Sequence, residues 1–135
     1  MVNYKEIQKM INKREAELEE IILRKKIDLA DVPEGQLRAT KCRNKYQYFV
    51  RKESQETNGT YIKSNEIEQA IQLAQKEYDE KVLRAANDEL KIINRLNRLY
   101  DKMVVESVPE RMSNAKLTLV EKIEKTDEEY IRDWL

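Results

Sequence analysis

The chain has 135 residues, with 26 Lys and Arg side chains against 26 Asp and Glu, so its formal net charge is zero. This balance argues against the overall basic character of most nucleic-acid-binding domains, and also against a strongly acidic DNA mimic. Charged residues make up 39% of the chain, which contains only two glycines and two prolines. Such a composition is typical of long, solvent-exposed helices within one domain.

The chain holds one cysteine, Cys42, which cannot form a disulfide within the chain and is compatible with a reducing compartment. No run of apolar residues approaches the length of a membrane-spanning helix, and the first residues lack the apolar stretch of a secretory signal. We therefore expect a cytoplasmic protein without membrane contact.

A long helix is predicted over residues 3–29. Side chains at alternating three- and four-residue spacing form a heptad-like seam: Tyr4, Ile7, Ile11, Arg14, Leu18, Ile21 and Lys25. Asn3 is the expected N-cap, with Glu6 at the spacing of a capping box. Pro33 and Gly35 end the helical pattern.

Three short strands are predicted next, over residues 37–42, 46–52 and 60–63. A tight turn at Arg43-Asn44-Lys45 joins the first two strands. The polar loop Glu53–Gly59 leads into the third strand, and its final glycine supplies the backbone freedom of a turn.

A second long helix is predicted from Ser64, its expected N-cap, to about residue 104. Its apolar stripe consists of Ile67, Ile71, Ala74, Tyr78, Val82 and Ala85, continued by Leu90, Ile93, Leu96, Leu99, Tyr100 and Met103. The length of the helix favours coiled-coil pairing with the first helix as an antiparallel hairpin. The alternative is an exposed stripe that serves a homodimer or a partner helix.

The helical pattern breaks at Ser107-Val108-Pro109-Glu110. A shorter helix is predicted over 111–124. A capping box at 126–129 then starts a last helix that reaches Leu135.

The expected fold class is α+β: two long helices in an extended hairpin, a three-stranded antiparallel sheet between them in sequence, and short C-terminal helices. The expected segments of this single domain are 1–31, 32–63, 64–106 and 107–135.

Positive charge is concentrated in the predicted strands. Residues 36–63 hold seven Lys and Arg side chains against two Glu, a local balance of +5, whereas residues 64–135 sum to −4. The predicted binding residues for a nucleic acid or an acidic partner are Arg38, Lys41, Arg43, Lys45, Gln47, Phe49, Arg51 and Lys52.

The register of the first two strands decides which charges face each other. A two-residue turn at Asn44-Lys45 places Arg38 opposite Arg51, where the two guanidinium groups repel each other. A nucleic-acid phosphate would relieve that repulsion, and so would an acidic side chain, such as Glu53 or Glu56. The side of the sheet that is expected to pack on the second helix carries Leu37, Ala39, Tyr46, Tyr48 and Val50. The other side carries Arg38, Arg51 and Phe49, whose ring offers a stacking surface. A slip of one residue exchanges the two faces of the sheet.

The sequence carries no recognisable catalytic constellation. It has no histidine to serve as a base for Cys42, no second cysteine for a metal, and no Gly-rich phosphate loop. The carboxylates form adjacent pairs that point to different parts of a helix surface: Asp79-Glu80, Asp88-Glu89 and Glu128-Glu129. We expect a protein that is not an enzyme and that uses no cofactor or metal.

Two family resemblances add to this interpretation. The stretches that carry the first are Pro33–Arg38, Lys45–Lys52, Gly59–Lys63, Leu73–Asp79, Leu99-Tyr100 and Asp127–Leu135. Together these stretches, spread over about 100 residues, are similar to a family of uncharacterised proteins of gut Firmicutes. Longer members of that family continue into a PD-(D/E)XK nuclease-like region. The resemblance implies a short form or the front part of such a protein, to which no catalytic residue can be carried over.

Residues 35–85 also resemble the arm-binding domain of phage integrases, in which a three-stranded sheet lies against DNA. The shared features are a Gly-x-Leu-Arg strand, a Tyr-rich second strand, a short third strand and a helix with alanines. The resemblance implies that these residues face DNA: Arg38, Lys41, Arg43, Gln47, Phe49 and Arg51. The integrase catalytic residues are absent from the sequence, so recombination is not implied.

Two functions follow as hypotheses. The first is a non-enzymatic module that contacts nucleic-acid phosphates through the basic sheet, as the front part or the partner of a nuclease-type protein. The second is a protein-interaction protein from a bacterial mobile element, which inhibits a large defence nuclease in the manner of an anti-CRISPR. A homodimer through the helix stripes is compatible with either.

Overall fold

A computed structural model describes residues 2–52 and 59–123 of the chain. The described elements are α1 (Tyr4–Asp28), β1 (Gln36–Cys42), β2 (Lys45–Arg51), β3 (Thr60–Tyr61), a 3-10 turn (Ser64–Glu66), α2 (Ile67–Met103), a second 3-10 segment (Val105–Arg111) and α3 (Asn114–Leu117). The predicted α+β class is confirmed. The predicted helix that begins at the 126–129 capping box lies outside the described residues.

The two long helices pack along each other as an antiparallel hairpin. Leu18 and Ile22 of α1 are buried against Ala86 of α2, and partly buried aliphatic side chains surround them: Ile21, Leu83, Leu90 and Ile93. Leu18 and Ile21 lie on the heptad-like seam of α1, and Ile22 lies next to that seam, one helical turn after Leu18. The predicted cap is also confirmed, since the Asn3 side chain accepts a hydrogen bond from the Lys5 amide.

Charged positions on the α1 seam find partners across the helix pair. The guanidinium of Arg14 donates two hydrogen bonds to the Glu89 carboxylate, one of them 2.9 Å long. The Asn97 amide donates to Glu15 at 3.1 Å. The hydrogen bond from Arg14 lowers the pKa of Glu89 below its ordinary value. The seam therefore tolerates polar residues because α2 supplies complementary groups.

The three strands form one antiparallel sheet in the order β1-β2-β3. The predicted register is wrong by two residues. Arg38 lies opposite Phe49, and Arg51 lies opposite Gln36, because the two-residue turn is Arg43-Asn44 rather than Asn44-Lys45. Arg43 takes the positive φ of 59° at that turn. A shift of two residues keeps every side chain on its predicted face.

The inner face of the sheet packs on α2. Val50 and Ile62 are buried against Ala70 and Leu73, and Leu37 and Tyr48 pack at the edge of this second core. This confirms the predicted inward side for Leu37, Tyr48 and Val50. Tyr46 and Ala39 share that face, but both are exposed.

A polar region lies between the two cores, where α1 ends. The Lys25 ammonium donates to Asp79 at 2.9 Å and to Asp28 at 3.3 Å, and the Gln75 amide also donates to Asp79 at 2.9 Å. One helical turn earlier in α2, the Lys76 ammonium donates to the backbone carbonyls of Pro33 and Gly35, at 3.0 and 3.1 Å. These bonds fix the connection between α1 and the sheet.

The buried face of α2 differs from the predicted one. In the first half of the helix, the predicted stripe residues Ile67, Ile71, Ala74, Tyr78 and Ala85 are exposed. The buried apolar positions are Ala70, Leu73 and Ala86. The helix carries apolar residues on two neighbouring faces, and periodicity alone does not distinguish which face meets α1.

The predicted N-cap of α2 is also wrong. Ser64 belongs to a 3-10 turn that precedes the helix, and neither Lys63 nor Glu66 makes a side-chain cap. The Glu66 amide instead donates to the Lys63 carbonyl at 2.8 Å. This extra turn carries the chain from the inner side of the sheet onto the helix axis.

Past Met103 the chain forms the 3-10 segment and then α3, and the predicted break at residues 107–110 lies within that 3-10 segment. The predicted helix over 111–124 is four residues long, Asn114–Leu117. Ser107 is buried, and its hydroxyl lies 2.7 Å from the Val104 carbonyl oxygen and 3.0 Å from that of Lys102. Among the described residues, no helix combines the length and the apolar character that crossing a bilayer requires.

Gly59 fixes the approach of β3 to β2. Its φ is +74°, and an added Cβ would lie 2.6 Å from the Val50 carbonyl oxygen. We expect Gly59→Ala to lower the free energy of unfolding by about 2 kcal/mol, measured by urea denaturation, because the backbone would be strained and crowded. Thr60→Ala, at the exposed next position, should change it by less than about 0.5 kcal/mol. Equal effects of the two substitutions would contradict this role for Gly59.

Candidate nucleic-acid interface

Alternation along the strands separates an inner and an outer face of the sheet. Because Val50 and Ile62 point to α2, their strand neighbours point away from it. The outer face consists of Gln36, Arg38, Thr40, Cys42, Lys45, Gln47, Phe49, Arg51 and Tyr61. It therefore carries three basic side chains and two aromatic rings.

A row of three side chains crosses the middle of the outer face. Arg38 lies opposite Phe49, which in turn lies opposite Tyr61. The Arg38 guanidinium carbon lies 4.2 Å from the centroid of the Phe49 ring, a cation–π contact. The Phe49 and Tyr61 centroids are 5.6 Å apart with the ring planes at 66°, an edge-to-face pair.

The contacts within the row of Arg38, Phe49 and Tyr61 change the expected role of Phe49. The sequence predicts a free stacking surface there, but one face of its ring is covered by the Arg38 guanidinium. Phe49 therefore holds Arg38 and Tyr61 in place. Tyr61 is 49% exposed and presents the more accessible ring. A planar guanidinium and an exposed aromatic ring are both surfaces on which a nucleic-acid base can stack.

Arg51 lies beside this row. Its position on β2 is two residues from Phe49, so both side chains stand on the outer face. The Arg51 Nε is buried and has no hydrogen-bond partner in the part of the chain that the structure describes. A buried donor without a partner lowers stability. Because this nitrogen is closed to solvent, it is not itself a contact for a bound molecule.

The end of the hairpin carries the remaining basic side chains. Lys41, Arg43 and Lys45 are exposed at or next to the Arg43-Asn44 turn. Lys41 shares the inner face with Tyr46 by alternation, yet both are exposed there. Three cations at one end of a sheet form a positive patch that attracts polyanions.

The chain matches no protein-family model, no curated protein and no solved structure. The two family resemblances of the sequence therefore stay predictions, and the site rests on its own geometry.

The structure brings most of the predicted site residues together, but not all. Arg38, Gln47, Phe49 and Arg51 share the outer face, while Lys41, Arg43 and Lys45 gather at the hairpin end. Lys52 follows the end of β2 and is exposed. Sequence reasoning missed Tyr61, although its alternation with the apolar Ile62 would have placed it outward beside Phe49.

The other chemical possibilities concern metals and acidic clusters. Within residues 2–52 and 59–123, no three His, Cys, Asp or Glu side chains come together as a metal site would require. Cys42, at the hairpin end, is exposed and not bonded to another cysteine. Of the paired carboxylates, Asp79 and Glu89 are bound to Lys25 and Arg14 of α1, which gives them a structural role.

Proposed function

We propose that this protein is a cytoplasmic, non-enzymatic module that binds single-stranded nucleic acid on the outer face of its sheet. The observation that supports the proposal is the row of Arg38, Phe49 and Tyr61 across all three strands. It combines a guanidinium, a ring that holds it and a second, exposed ring. This arrangement suits stacked bases, and the cations around it suit the phosphates between them.

Each part of the surface has its own task in this binding. Bases stack on the Tyr61 ring and on the guanidinium plane of Arg38. Arg51 and Lys45, on the same face, bind phosphate oxygens, and the hairpin end extends the positive potential along the strand. A duplex would meet the phosphate-binding groups but not the stacking groups, because its bases are already stacked.

The decisive measurement is fluorescence polarisation with labelled single-stranded and duplex oligonucleotides at several salt concentrations. We expect single-strand affinity to fall as salt rises, because cations bound to phosphates are released. Replacing both Arg38 and Arg51 by alanine should weaken binding by about 10-fold or more and reduce the salt slope by roughly 1 to 2. Tyr61→Ala should weaken single-strand binding by about 10-fold and leave duplex binding unchanged.

A matched control removes the same charge elsewhere. Arg84 and Arg98 are exposed on α2. Replacing both by alanine should leave binding within about twofold of the parent, since non-specific attraction is the only contribution expected from them. Circular dichroism should show all of these variants to be folded.

The proposal fails if no salt-dependent binding is found, or if the α2 control loses as much affinity as the sheet variant. A stoichiometric complex with a bacterial defence nuclease that survives high salt, together with no oligonucleotide binding, would favour the inhibitor hypothesis instead. Co-purification of the two proteins would detect such a complex.

A further inference from the structure

The exposed side of α2 carries an apolar stripe along the whole helix. Its members recur at spacings of three, four or seven residues: Ile67, Ile71, Ala74, Tyr78, Ala85, Ile92, Leu96, Leu99 and Met103. All of them are exposed except Leu99, which is half-buried. The helix has 37 residues, so the stripe runs for about 55 Å. An apolar surface of this length is characteristic of an interface.

The stripe is symmetric about Ala85. Counting outward from Ala85 in both directions, Tyr78 and Ile92 lie at the same distance. The same holds for three further pairs: Ala74 with Leu96, Ile71 with Leu99, and Ile67 with Met103. A second α2 that runs antiparallel and crosses at Ala85 would therefore match each member of the stripe with another member. The levels next to the crossing point are mostly polar, because they hold Lys81, Asp88 and Glu89 beside Val82. The small side chain at the centre allows the two helices to approach closely.

The charges beside the stripe are complementary in the same arrangement. At ~100° per residue, Glu77, Lys81, Asp88 and Arg95 lie on one flank of the stripe. Antiparallel crossing at Ala85 brings Glu77 to within about two residues of the level of Arg95 in the second copy, and Lys81 to within about one of Asp88. Because a two-fold axis repeats each contact, four pairs of opposite charge would border the interface. Arg84 lies on the same flank and would come near its own copy at the crossing point, where the two like charges oppose association.

From this we infer that a second copy of the chain covers the stripe, and that the protein is a two-fold symmetric dimer with antiparallel α2 helices. The apolar pairs and the charged pairs both form when the two helices cross at Ala85. This agreement favours a second copy of α2 over any other helix. In a parallel pair the flank that carries Glu77 and Arg95 would lie beside the opposite flank of the second copy, so these pairs of opposite charge would not form. The arrangement is independent of the nucleic-acid proposal.

The two nucleotide-facing sheets would then lie at opposite ends of the dimer. Each sheet packs on α2 around Ala70 and Leu73, and the second copy presents the same region at the level of Tyr100 and Asn97. The two sheets would be separated by about 40 Å along the helix axes, at ~1.5 Å per residue.

The oligomeric state is measured by sedimentation velocity over a range of protein concentrations. We expect a dimer that dissociates on dilution. The double substitution Ile92→Glu with Leu96→Glu should raise the dissociation constant by at least ~100-fold, because each protomer would bury unpaired carboxylates in the interface. The matched control, Leu23→Glu with Ile27→Glu, changes two exposed apolar residues of α1 at the same spacing and should leave the dimer unchanged.

Cross-linking tests the orientation. In a Cys42→Ser background, Ala85→Cys should form a disulfide between the two copies under mild oxidation. Asn87→Cys, exposed on the same helix but off the stripe, should not, and neither should Leu96→Cys, which only a parallel pair would place beside itself. A monomer at all concentrations, a dimer that survives the Glu substitutions, or a disulfide through Leu96→Cys would each overturn the inference.

Discussion

Truncation of Leu73 to alanine should lower the free energy of unfolding by about 3 kcal/mol, the typical cost of removing a fully buried leucine side chain. Leu73 is only 1% exposed and touches the sheet through Val50 and Ile62. Because small domains have a total stability of roughly 5–15 kcal/mol, this loss is a large share of it. Urea denaturation followed by circular dichroism measures the change.

Leu23→Ala provides the control for this prediction. Leu23 lies on α1 and is largely exposed, so the same truncation should change the free energy of unfolding by less than about 0.5 kcal/mol. Hydrogen exchange adds a local measurement. In Leu73→Ala, the amides of Val50 and Ile62 should lose more protection than those of Ile22 and Ala86, which belong to the first core. Equal loss in both cores would show that they open as one unit.

Replacement of Lys25 by methionine should lower the melting temperature by roughly 5–10 °C, because it leaves a buried carboxylate without its cation. Asp79 is 4% exposed, and Lys25 is its ionic partner at 2.9 Å. Burial by itself raises the pKa of Asp79, but the hydrogen bonds from Lys25 and Gln75 outweigh it and hold that pKa below its ordinary value. The hydrogen bond to Asp79 likewise raises the pKa of Lys25.

These shifts define a pH window for the parent protein. Since the pKa of Asp79 is lower in the folded chain than in the unfolded one, its stabilisation is present above pH ~4 and is lost as the pH falls through the folded-state pKa. Since the pKa of Lys25 is raised on folding, its stabilisation is complete below pH ~10 and is lost as the pH rises through the folded-state pKa.

The pH dependence distinguishes a lost ion pair from lost packing. In Lys25→Met, burial should raise the pKa of Asp79, so protonation below pH ~4 would relieve the unpaired charge and narrow the difference from the parent. Thermal melts at pH 7 and pH 3.5 measure this difference. Lys26→Met, at the exposed next position, should show neither effect. A penalty for Lys25→Met that is the same at both pH values would contradict the role of the Lys25–Asp79 pair.

The strand and helix segments could be predicted because each has a strong local signal. The three-four spacing from Ile7 to Ile21 located α1, and the alternation around Val50 assigned the faces of the sheet. The hairpin register could not be found in the same way, since a shift by two residues leaves alternation unchanged. The turn decides between the two registers, and the positive φ falls on Arg43 rather than on the neighbouring asparagine.

The packing of the helices was only partly predictable for a related reason. Helix α2 is apolar on two adjacent faces, so periodicity identified a stripe but not the one that meets α1. Arg14 and Lys25 interrupt the apolar seam of α1. The sequence does not indicate their partners, Glu89 and Asp79, because these are more than fifty residues away in the chain. Contacts of that kind depend on the tertiary fold, which local patterns do not encode.

The sequence predicted which residues form most of the candidate site, but not how they are arranged on the sheet. Local charge balance identified the basic sheet, and the arginines Arg38 and Arg51 do share one face. The predicted repulsion between them is absent as a direct cross-strand contact, because Phe49 occupies the position opposite Arg38. Tyr61 was missed because the third strand is only two residues long, so that Ile62 alone indicates the side on which Tyr61 lies.

The position of the sheet between the helices also has a consequence for the order of folding. Thirty-eight residues separate Asp28 from Ile67, and the two helices gain their mutual contacts only after this segment brings its ends together. Loop-closure entropy grows with the length of the flexible segment. The β-meander shortens that segment through contacts between near neighbours in sequence, such as those across the Arg43-Asn44 turn. The sheet therefore serves as the bend of the helical hairpin, and it does so through its inner face, which packs on α2.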